Sequence, residues 1–358
     1  MFLNESQQKV IPGRKDLLNL SLNITDKCNL HCKYCYINKG KGRMSLDTAK
    51  KAVDFAVSLG YKDVIVSFVT AESLMEWDLV KSVIRYSEKM GVRRFDLGTN
   101  SLLLDKRILK FFSKHNVVPM ISVDGIKEAQ NVNRVYEQNK GTFEILDKKL
   151  DLLRKNFNKH IEIRVTITPE TLPFLSKTIQ YVINKGLAYK TRINVSPVVD
   201  RGQWQRKNYS MFENQLFQVA DIFIANFRKN KLINICSSEC FPMNFTFLNL
   251  VEQQNTMAQS CCGGGTNINI AQNGDIYPCY FLSSVRYNKK DDLICGNIEN
   301  GIGNPEILAK FQGINPNMSC FAWNYLIGGD TNRPLEMYRE LFKIWLKVSE
   351  YVTSEIKK

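Results

Sequence analysis

Between Leu17 and Val195 the chain alternates strand-like and helix-like segments, giving six βα-type units with short links. Strand signals cover Leu17–Ile24, Asp63–Phe68, Arg94–Leu97, Val117–Val123, Ile161–Ile167 and Thr191–Val195. Helical periodicity covers Leu46–Leu59, Asp78–Met90, Asp105–Lys114, Thr142–Phe157 and Leu172–Asn184. The first of these helices is capped by Ser45 and closed by Gly60. Alternation of this kind implies a parallel sheet with helices outside it. Six units are too few for a complete eight-fold barrel, so the expected fold is α/β, a partial (β/α)6 TIM barrel. Sites on parallel sheets sit at the C-terminal ends of the strands. Cys28, Glu72, Asn100, Ser122 and Asp124 all fall at or just after such ends, which places them on one rim.

After about residue 200 the texture changes. Tyr209–Lys229 reads as a helix, and residues 236–300 hold six of the ten cysteines. Short strands at Asn267–Ile270 and Asp275–Tyr277 flank the hairpin signal Asn273-Gly274, and Pro334–Ile356 reads as a long helix. The expected organisation is a barrel over 1–200 with an N-terminal extension, a helical bridge over 201–255 and a small Cys-rich α+β domain with a C-terminal helix over 256–358.

No signal peptide and no run of about 20 apolar residues is evident, which excludes a membrane span and points to the cytoplasm. Thiols stay reduced there, so clustered cysteines point to metal or catalysis rather than disulfides. The formal charge is +14, from 49 Lys+Arg against 35 Asp+Glu. The basic residues are scattered, with no block of five, which argues for a solvated surface over a nucleic-acid groove.

Immediately after the first strand, Cys28, Cys32 and Cys35 follow C-x3-C-x2-C spacing. Three thiolates can ligate three irons of a [4Fe–4S] cubane and leave the fourth iron open for chemistry. A zinc knuckle would need a fourth ligand, and His31 sits awkwardly beside Cys32. Three unrelated buried thiols are the other reading of the spacing alone.

With an aromatic residue, Tyr34, before the last cysteine, the loop resembles the hallmark of the radical S-adenosylmethionine (SAM) superfamily. Other segments resemble that family too. Glu72 in Thr70-Ala71-Glu72-Ser73 occupies the place of a Gly-Gly-Glu-Pro motif, of which it is the sole match. Thr99-Asn100-Ser101 resembles Thr-Asn-Gly, Ser122-Val123-Asp124-Gly125 resembles Ser-x-Asp-Gly, and Arg134 lies at the usual interval beyond. The resemblance implies a [4Fe–4S] cluster that chelates SAM and cleaves it to a 5′-deoxyadenosyl radical. It also implies an electron donor such as flavodoxin or ferredoxin. By the same resemblance Glu72 meets the SAM ammonium, Ser122 the ribose and Arg134 the carboxylate, while Tyr34 lies near the adenine and Asn100 and Asp124 belong to the same cofactor site.

Further on, Cys262-Gly263-Gly264-Gly265-Thr266 leads through Asn273-Gly274 to Cys279. This resembles the auxiliary-cluster domains called SPASM and twitch. The remainder of that pattern is eroded: only Cys320 remains of its last four cysteines. The resemblance leaves room for one auxiliary Fe–S cluster, with Cys262, Cys279 and Cys320 as ligands and Cys236, Cys240, Cys261, Cys295 and Asp330 as further candidates.

Enzymes with this arrangement mostly modify peptides or proteins. The sulfatase-maturating branch is disfavoured, because it carries an Asp directly after the cysteine that here is followed by Tyr280. The leading expectation is a maturase of ribosomal peptides that forms a crosslink or thioether or inverts a stereocentre. The chain enters the barrel almost at once, so a precursor with an acidic leader is expected to bind the barrel mouth, a separate partner or a sheet edge. A surplus thiol, Cys240 or Cys236, is the candidate hydrogen donor. A small-molecule radical SAM enzyme, a barrel that has lost SAM binding, and RNA modification are the competing readings.

Overall fold

The computed structural model describes residues 16–198, 204–237, 266–283, 291–311, 320, 322, 326 and 335–358. The first elements are β1 (Leu17–Leu22), α1 (Leu46–Ser58), β2 (Asp63–Phe68), α2 (Trp77–Lys89), β3 (Arg94–Thr99), α3 (Lys106–Lys114) and β4 (Val117–Ser122). They continue with α4 (Lys127–Asn133), α5 (Phe143–Asn156), β5 (Ile161–Ile167), α6 (Leu175–Asn184), β6 (Thr191–Pro197), α7 (Arg206–Phe227) and β7 (Asn234–Ser237). The last are β8 (Asn267–Ile270), β9 (Asp275–Tyr277), α8 (Tyr280–Ser283), β10 (Gly296–Asn297), β11 (Gly301–Ile302), α9 (Pro305–Lys310) and α10 (Glu336–Ile356).

Among the described residues, all the strands join one eleven-stranded sheet, ordered β11-β10-β9-β8-β1-β2-β3-β4-β5-β6-β7. From β8 through β7 the pairing is parallel. The β8–β9 hairpin and the β10–β11 pair then extend the β1 side in antiparallel fashion. The partial barrel expected from six units is therefore present and longer than expected. A seventh strand, β7, follows the long helix α7 inside the stretch read as a bridge. β8, from the Cys-rich part, lies directly against β1, with Asn19 opposite Asn267 and Leu22 opposite Ile270.

Local sequence explains the elements. Ser45 accepts the amide of Thr48 at 2.9 Å and starts α1, and Asp105 accepts that of Ile108 at 2.8 Å and starts α3. Gly60 and Gly91 follow α1 and α2 with φ of 74° and 93°. Gly274 turns the β8–β9 hairpin at φ 90°.

The faces of the sheet differ in chemistry. On β1, Leu18, Leu20 and Leu22 are fully buried in the core shared with Ala49, Ala52 and Val53 of α1. The alternate residues are polar and pair with one another. Ser67 donates to Asn19 at 2.7 Å, Ser21 to Asn267 at 3.3 Å, and Thr70 to Asn23 at 2.8 Å. Period-two alternation thus separates an apolar outer face from a polar interior.

The C-terminal helix closes the outer layer against α7. Phe217 and Tyr351 meet edge to face at 5.3 Å, Tyr351 donates to Asp221 at 2.7 Å, and Lys347 pairs with Glu213. Trp345 is 1% exposed, among the largest fully buried side chains. Among the described residues, no helix is long and apolar enough to cross a membrane. If α10 is part of the barrel fold, Trp345→Ala will cost about 3–5 kcal/mol, read from the midpoint of urea unfolding. An unchanged midpoint would make α10 an appendage.

Candidate functional site

The long loop after β1 is folded back on itself. Asp26 N–H donates to Gly42 O at 3.1 Å and Met44 N–H to Ile24 O at 2.9 Å. Its cysteine segment is then pinned to the end of α4. His31 N–H donates to Val135 O at 2.7 Å, and Lys33 N–H to Asn133 O at 3.0 Å. These two bonds bracket Arg134. Within the loop, Cys35 N–H donates to Cys32 O at 3.0 Å.

Cys28, Cys32 and Cys35 are free, half-buried thiols that all line one cavity of about 250 Å³. Burial pushes Cys28 up from the usual thiol range and Cys32 up to about 12, the latter opposed by the charge of Arg134. Thiols in such surroundings need a cationic metal to deprotonate them. Among the described residues, no group of three His, Cys, Asp or Glu side chains forms a site for a single metal ion. The three thiols share one cavity while His31 is exposed, so this donor set fits a cluster with one open iron better than a zinc knuckle.

Glu72 sits on the same cavity wall and is fully buried. Thr99 Oγ1 and the amide of Asn100 each donate to its carboxylate at 2.8 Å, and the amide of Leu74 donates at 3.3 Å. Desolvation is the larger influence and raises its pKa to about 7. Asn100 reaches from the same wall, its Nδ2 lying 2.7 Å from Asn29 Oδ1 and 3.9 Å from Cys28 Sγ.

Two departures from the family motifs now have a structural meaning. Ala71 has φ 44° and Ser101 has φ 72°, and both stand where the resembled motifs carry glycine. The backbone keeps a left-handed shape that glycine adopts without strain. Gly125, where the motif is kept, has φ 135°, and an added Cβ would lie 1.9 Å from Thr178 Oγ1.

Ser122, Tyr34 and Arg134 also line the cavity, whereas Asp124 is not on its wall. Asp124 stands behind as a shared partner. Tyr34 Oη donates to its Oδ2 at 2.6 Å and Arg134 Nε to its Oδ1 at 2.9 Å. The guanidinium lies 5.4 Å from the Tyr34 ring centroid. Burial pushes the Tyr34 phenol well above its ordinary range. Gln130 Oε1 accepts the Asp124 amide at 2.8 Å, and Thr142 Oγ1 donates to Arg134 O at 2.7 Å.

The sequence reading missed Arg164. It lines the cavity and stands opposite Ser122 in the β4–β5 register. The alternation Glu162, Arg164, Thr166 in an otherwise aliphatic strand was the signal that could have found it. Tyr280 and Phe281 of α8 and Tyr338 of α10 also reach the cavity. Phe281 packs on Tyr36 of the cysteine loop at 5.0 Å.

Of the remaining candidates, Cys240, Cys261, Cys262 and Asp330 lie outside the described residues. Cys279, Cys295 and Cys320 are buried in the main core. Burial raises the Cys295 thiol pKa. Cys236 is buried on β7, where Arg192 Nε donates to its sulfur at 3.1 Å.

Residues 22–179 match the family model of the radical SAM superfamily. The uncharacterized protein MJ0907 of Methanocaldococcus jannaschii is 25% identical over 328 residues, covering 89% of this chain and 98% of that protein. The cysteine-type anaerobic sulfatase-maturating enzyme of Clostridium novyi is 23% identical, covering 75% and 74%. The GTP 3′,8-cyclase of Clostridium botulinum is 22% identical, covering 83% and 88%. In fold, the chain is similar to anSMEcpe with bound AdoMet and Kp18Cys peptide, with TM-score 0.72 at 19% identity, covering 95% of this chain and 98% of that one. It is also similar to Streptococcus suis SuiB bound to precursor peptide SuiA, with TM-score 0.57 at 14% identity, covering 80% and 64%.

Two outcomes follow from the geometry. Ala71→Gly and Ser101→Gly should each raise stability by about 0.5–1 kcal/mol in chemical denaturation, since relief of left-handed strain exceeds the entropy that glycine adds to the unfolded chain. A loss of stability would mean that the methyl and hydroxymethyl groups pack well enough to offset the strain. For Glu72, the raised folded pKa means that the folded state binds its proton more tightly than the unfolded chain. Wild-type stability should therefore fall, relative to Glu72→Gln, as pH rises from about 4.5 through 7, by a total on the order of 3 kcal/mol. Parallel pH profiles of the two metal-free proteins would refute the burial argument.

Proposed function

As the chain is a member of the radical SAM superfamily, an enzyme that uses a [4Fe–4S] cluster and SAM, we propose that it modifies a peptide substrate. The observation that carries this reading is the single cavity in which the three loop cysteines, Glu72 and Ser122 from the barrel, and aromatic side chains from the C-terminal part share one wall. When bound, the cluster and SAM supply one-electron cleavage to a 5′-deoxyadenosyl radical able to abstract hydrogen.

The chain's own residues have assignable tasks. Cys28, Cys32 and Cys35 hold the cluster. Glu72, already held by three donors, offers its carboxylate to the SAM ammonium. Ser122 meets the ribose and Tyr34 lies near the adenine. Arg134 and Arg164 are both on the wall and suit the carboxylate, but Arg134 Nε is committed to Asp124. We assign Arg164 the more direct contact and make Asp124 a positioning residue for Arg134 and Tyr34. Asn100 orders the strand end beside Cys28.

The likeness in fold to two proteins solved with peptides supports a peptide substrate, and the basic surface suits an acidic leader. Tyr280 lines the cavity directly after Cys279, at the place where the sulfatase-maturating branch carries an Asp. A phenol there supports a reaction without that carboxylate base, such as crosslinking, thioether formation or epimerisation. A hydrogen donor for epimerisation would be Cys240. The similarity to GTP 3′,8-cyclase supports the second reading, a small-molecule substrate. Cys262, Cys279 and Cys320 are assigned to one auxiliary cluster, and flavodoxin or ferredoxin to electron delivery.

The test is anaerobic reconstitution followed by incubation with SAM, reductant and small peptides encoded beside the gene. Expected are 5′-deoxyadenosine, a mass change in one peptide, and about eight irons per chain, falling to about four in a Cys279→Ala/Cys320→Ala variant. The triple Ala variant of Cys28, Cys32 and Cys35 should lose SAM cleavage entirely. About four irons in the wild type would remove the auxiliary cluster. Cleavage of SAM with turnover of a nucleotide but no peptide would favour the second reading.

A further inference from the structure

Two buried side chains that do not reach the cavity, Gln130 and Thr142, close the Asp124–Arg134 pair into a circuit of hydrogen bonds. Gln130 Oε1 accepts the Asp124 amide at 2.8 Å, and its Nε2 donates to Thr142 Oγ1 at 3.2 Å. Thr142 Oγ1 spends its one proton on the carbonyl of Arg134 at 2.7 Å. Arg134 Nε returns to Asp124 Oδ1 at 2.9 Å. Thr142 is itself fixed at the start of α5, where Asn131 Oδ1 accepts the amides of Thr142 and Phe143 at 2.8 and 3.0 Å. Gly141 leaves room for that contact, since an added Cβ would lie 2.3 Å from Asn131 Cγ.

The circuit meets the cysteine loop at three successive carbonyls. Asn133 O accepts the Lys33 amide, Arg134 O accepts the Thr142 hydroxyl, and Val135 O accepts the His31 amide. Arg134 has an extended backbone, with φ −90° and ψ 87°, so its carbonyl points away from the two that flank it. The strip is thus held by the loop from one side, on either flank of Cys32, and by Thr142 from the other. A shift of the strip would move Cys32 and the guanidinium together. An apolar pair of the same shape could bury this contact as well, but only hydrogen bonds give it direction.

We propose that Gln130 and Thr142 are positioning residues of the cofactor site. They touch neither cluster nor SAM, and they act by setting where Arg134 and Cys32 stand. This rests on the assignment of the cysteines and Arg134 above, and it is independent of whether the substrate is a peptide.

The test compares Thr142→Val, which keeps the shape and removes the donor, with Thr142→Ser, which keeps the hydroxyl. Both are reconstituted with iron and sulfide and read in two ways: SAM affinity by calorimetry without reductant, and amide hydrogen exchange of residues 30–34 by mass spectrometry. In Thr142→Val, SAM should bind about tenfold more weakly and the loop amides should exchange about tenfold faster. Thr142→Ser should match the wild type in both. Gln130→Met should resemble Thr142→Val, and the double variant should lose no more than either alone, because a circuit is broken only once. Unchanged SAM affinity, unchanged loop exchange, or equal losses in the Val and Ser variants would overturn the proposal. So would additive losses in the double variant, or faster exchange spread over the whole chain, which is the mark of a purely structural role. Failure to modify any peptide would count against the peptide reading and leave both readouts standing.

Discussion

The carboxylate of Asp124 is the point on which the proposed cofactor site depends. It is fully buried, accepts from Tyr34 and from Arg134, and ties the cysteine loop to the barrel rim. A buried ion pair adds little net stability over an apolar substitute, but removing one partner leaves an uncompensated charge and costs several kcal/mol. The value of the pair is in placement. Arg134 occupies the point where the loop amides of His31 and Lys33 bond to its two neighbours, so the same turn that orients the guanidinium also holds the loop. Cys32 feels that guanidinium, and Tyr34 carries it over its ring. The geometry of the three thiols and that of the proposed SAM contacts are therefore one structural unit.

Read by residue type, the second and third motifs look degraded, for they have lost their glycines. Read by backbone, they are intact. Ala71 and Ser101 adopt the left-handed conformations that glycine would adopt freely, and they still deliver Glu72 and Asn100 to the cavity wall. Strain that persists at a site is retained when the surroundings over-determine the conformation. Here the carboxylate of Glu72 is the over-determining element, because it gathers the amides of Leu74 and Asn100 and the hydroxyl of Thr99 from two successive strand ends. That is an argument against a barrel that has drifted away from cofactor binding.

How much of this could be read in advance divides along local and non-local lines. β2, β5, β8 and β9 fall where the residue pattern puts them, and Ser45, Asp105 and Gly60 mark their helices, because caps and alternation are written in neighbouring residues. Cys28, Glu72, Asn100 and Ser122 reach the cavity and were legible for the same reason, each lying at or after a strand end, whereas Asp124 stands behind the wall. α4 was not foreseen, since Lys127–Asn133 has too few residues to show a period. β7 was missed because four residues between turn signals carry little pattern. The pairing of β8 with β1 joins residues nearly 250 positions apart, as in Ser21 and Asn267, and no local signal encodes it. Arg164 escaped notice because a charged residue in a strand reads as solvent-facing until the interior is known to be polar.

That pairing changes how the Cys-rich part should be regarded. β8 lies against the strand that ends in the cysteine loop, and the chain then returns through β9 to α8. α8 delivers Tyr280 and Phe281 to the cavity, where Phe281 rests on Tyr36 and on Tyr280. Tyr338, at the start of α10, reaches the same wall. The barrel strands thus supply the polar side of the cavity, and the C-terminal segment supplies its aromatic side. Polar groups on the strands are constrained by the cofactor and by their register. Tyr280 and Phe281 stand on a four-residue helix outside the strand register, with Phe281 packed on Tyr36 of the cysteine loop. On the reaction proposed above, the phenol that follows Cys279 belongs to this aromatic side of the cavity and leaves the polar side as it is.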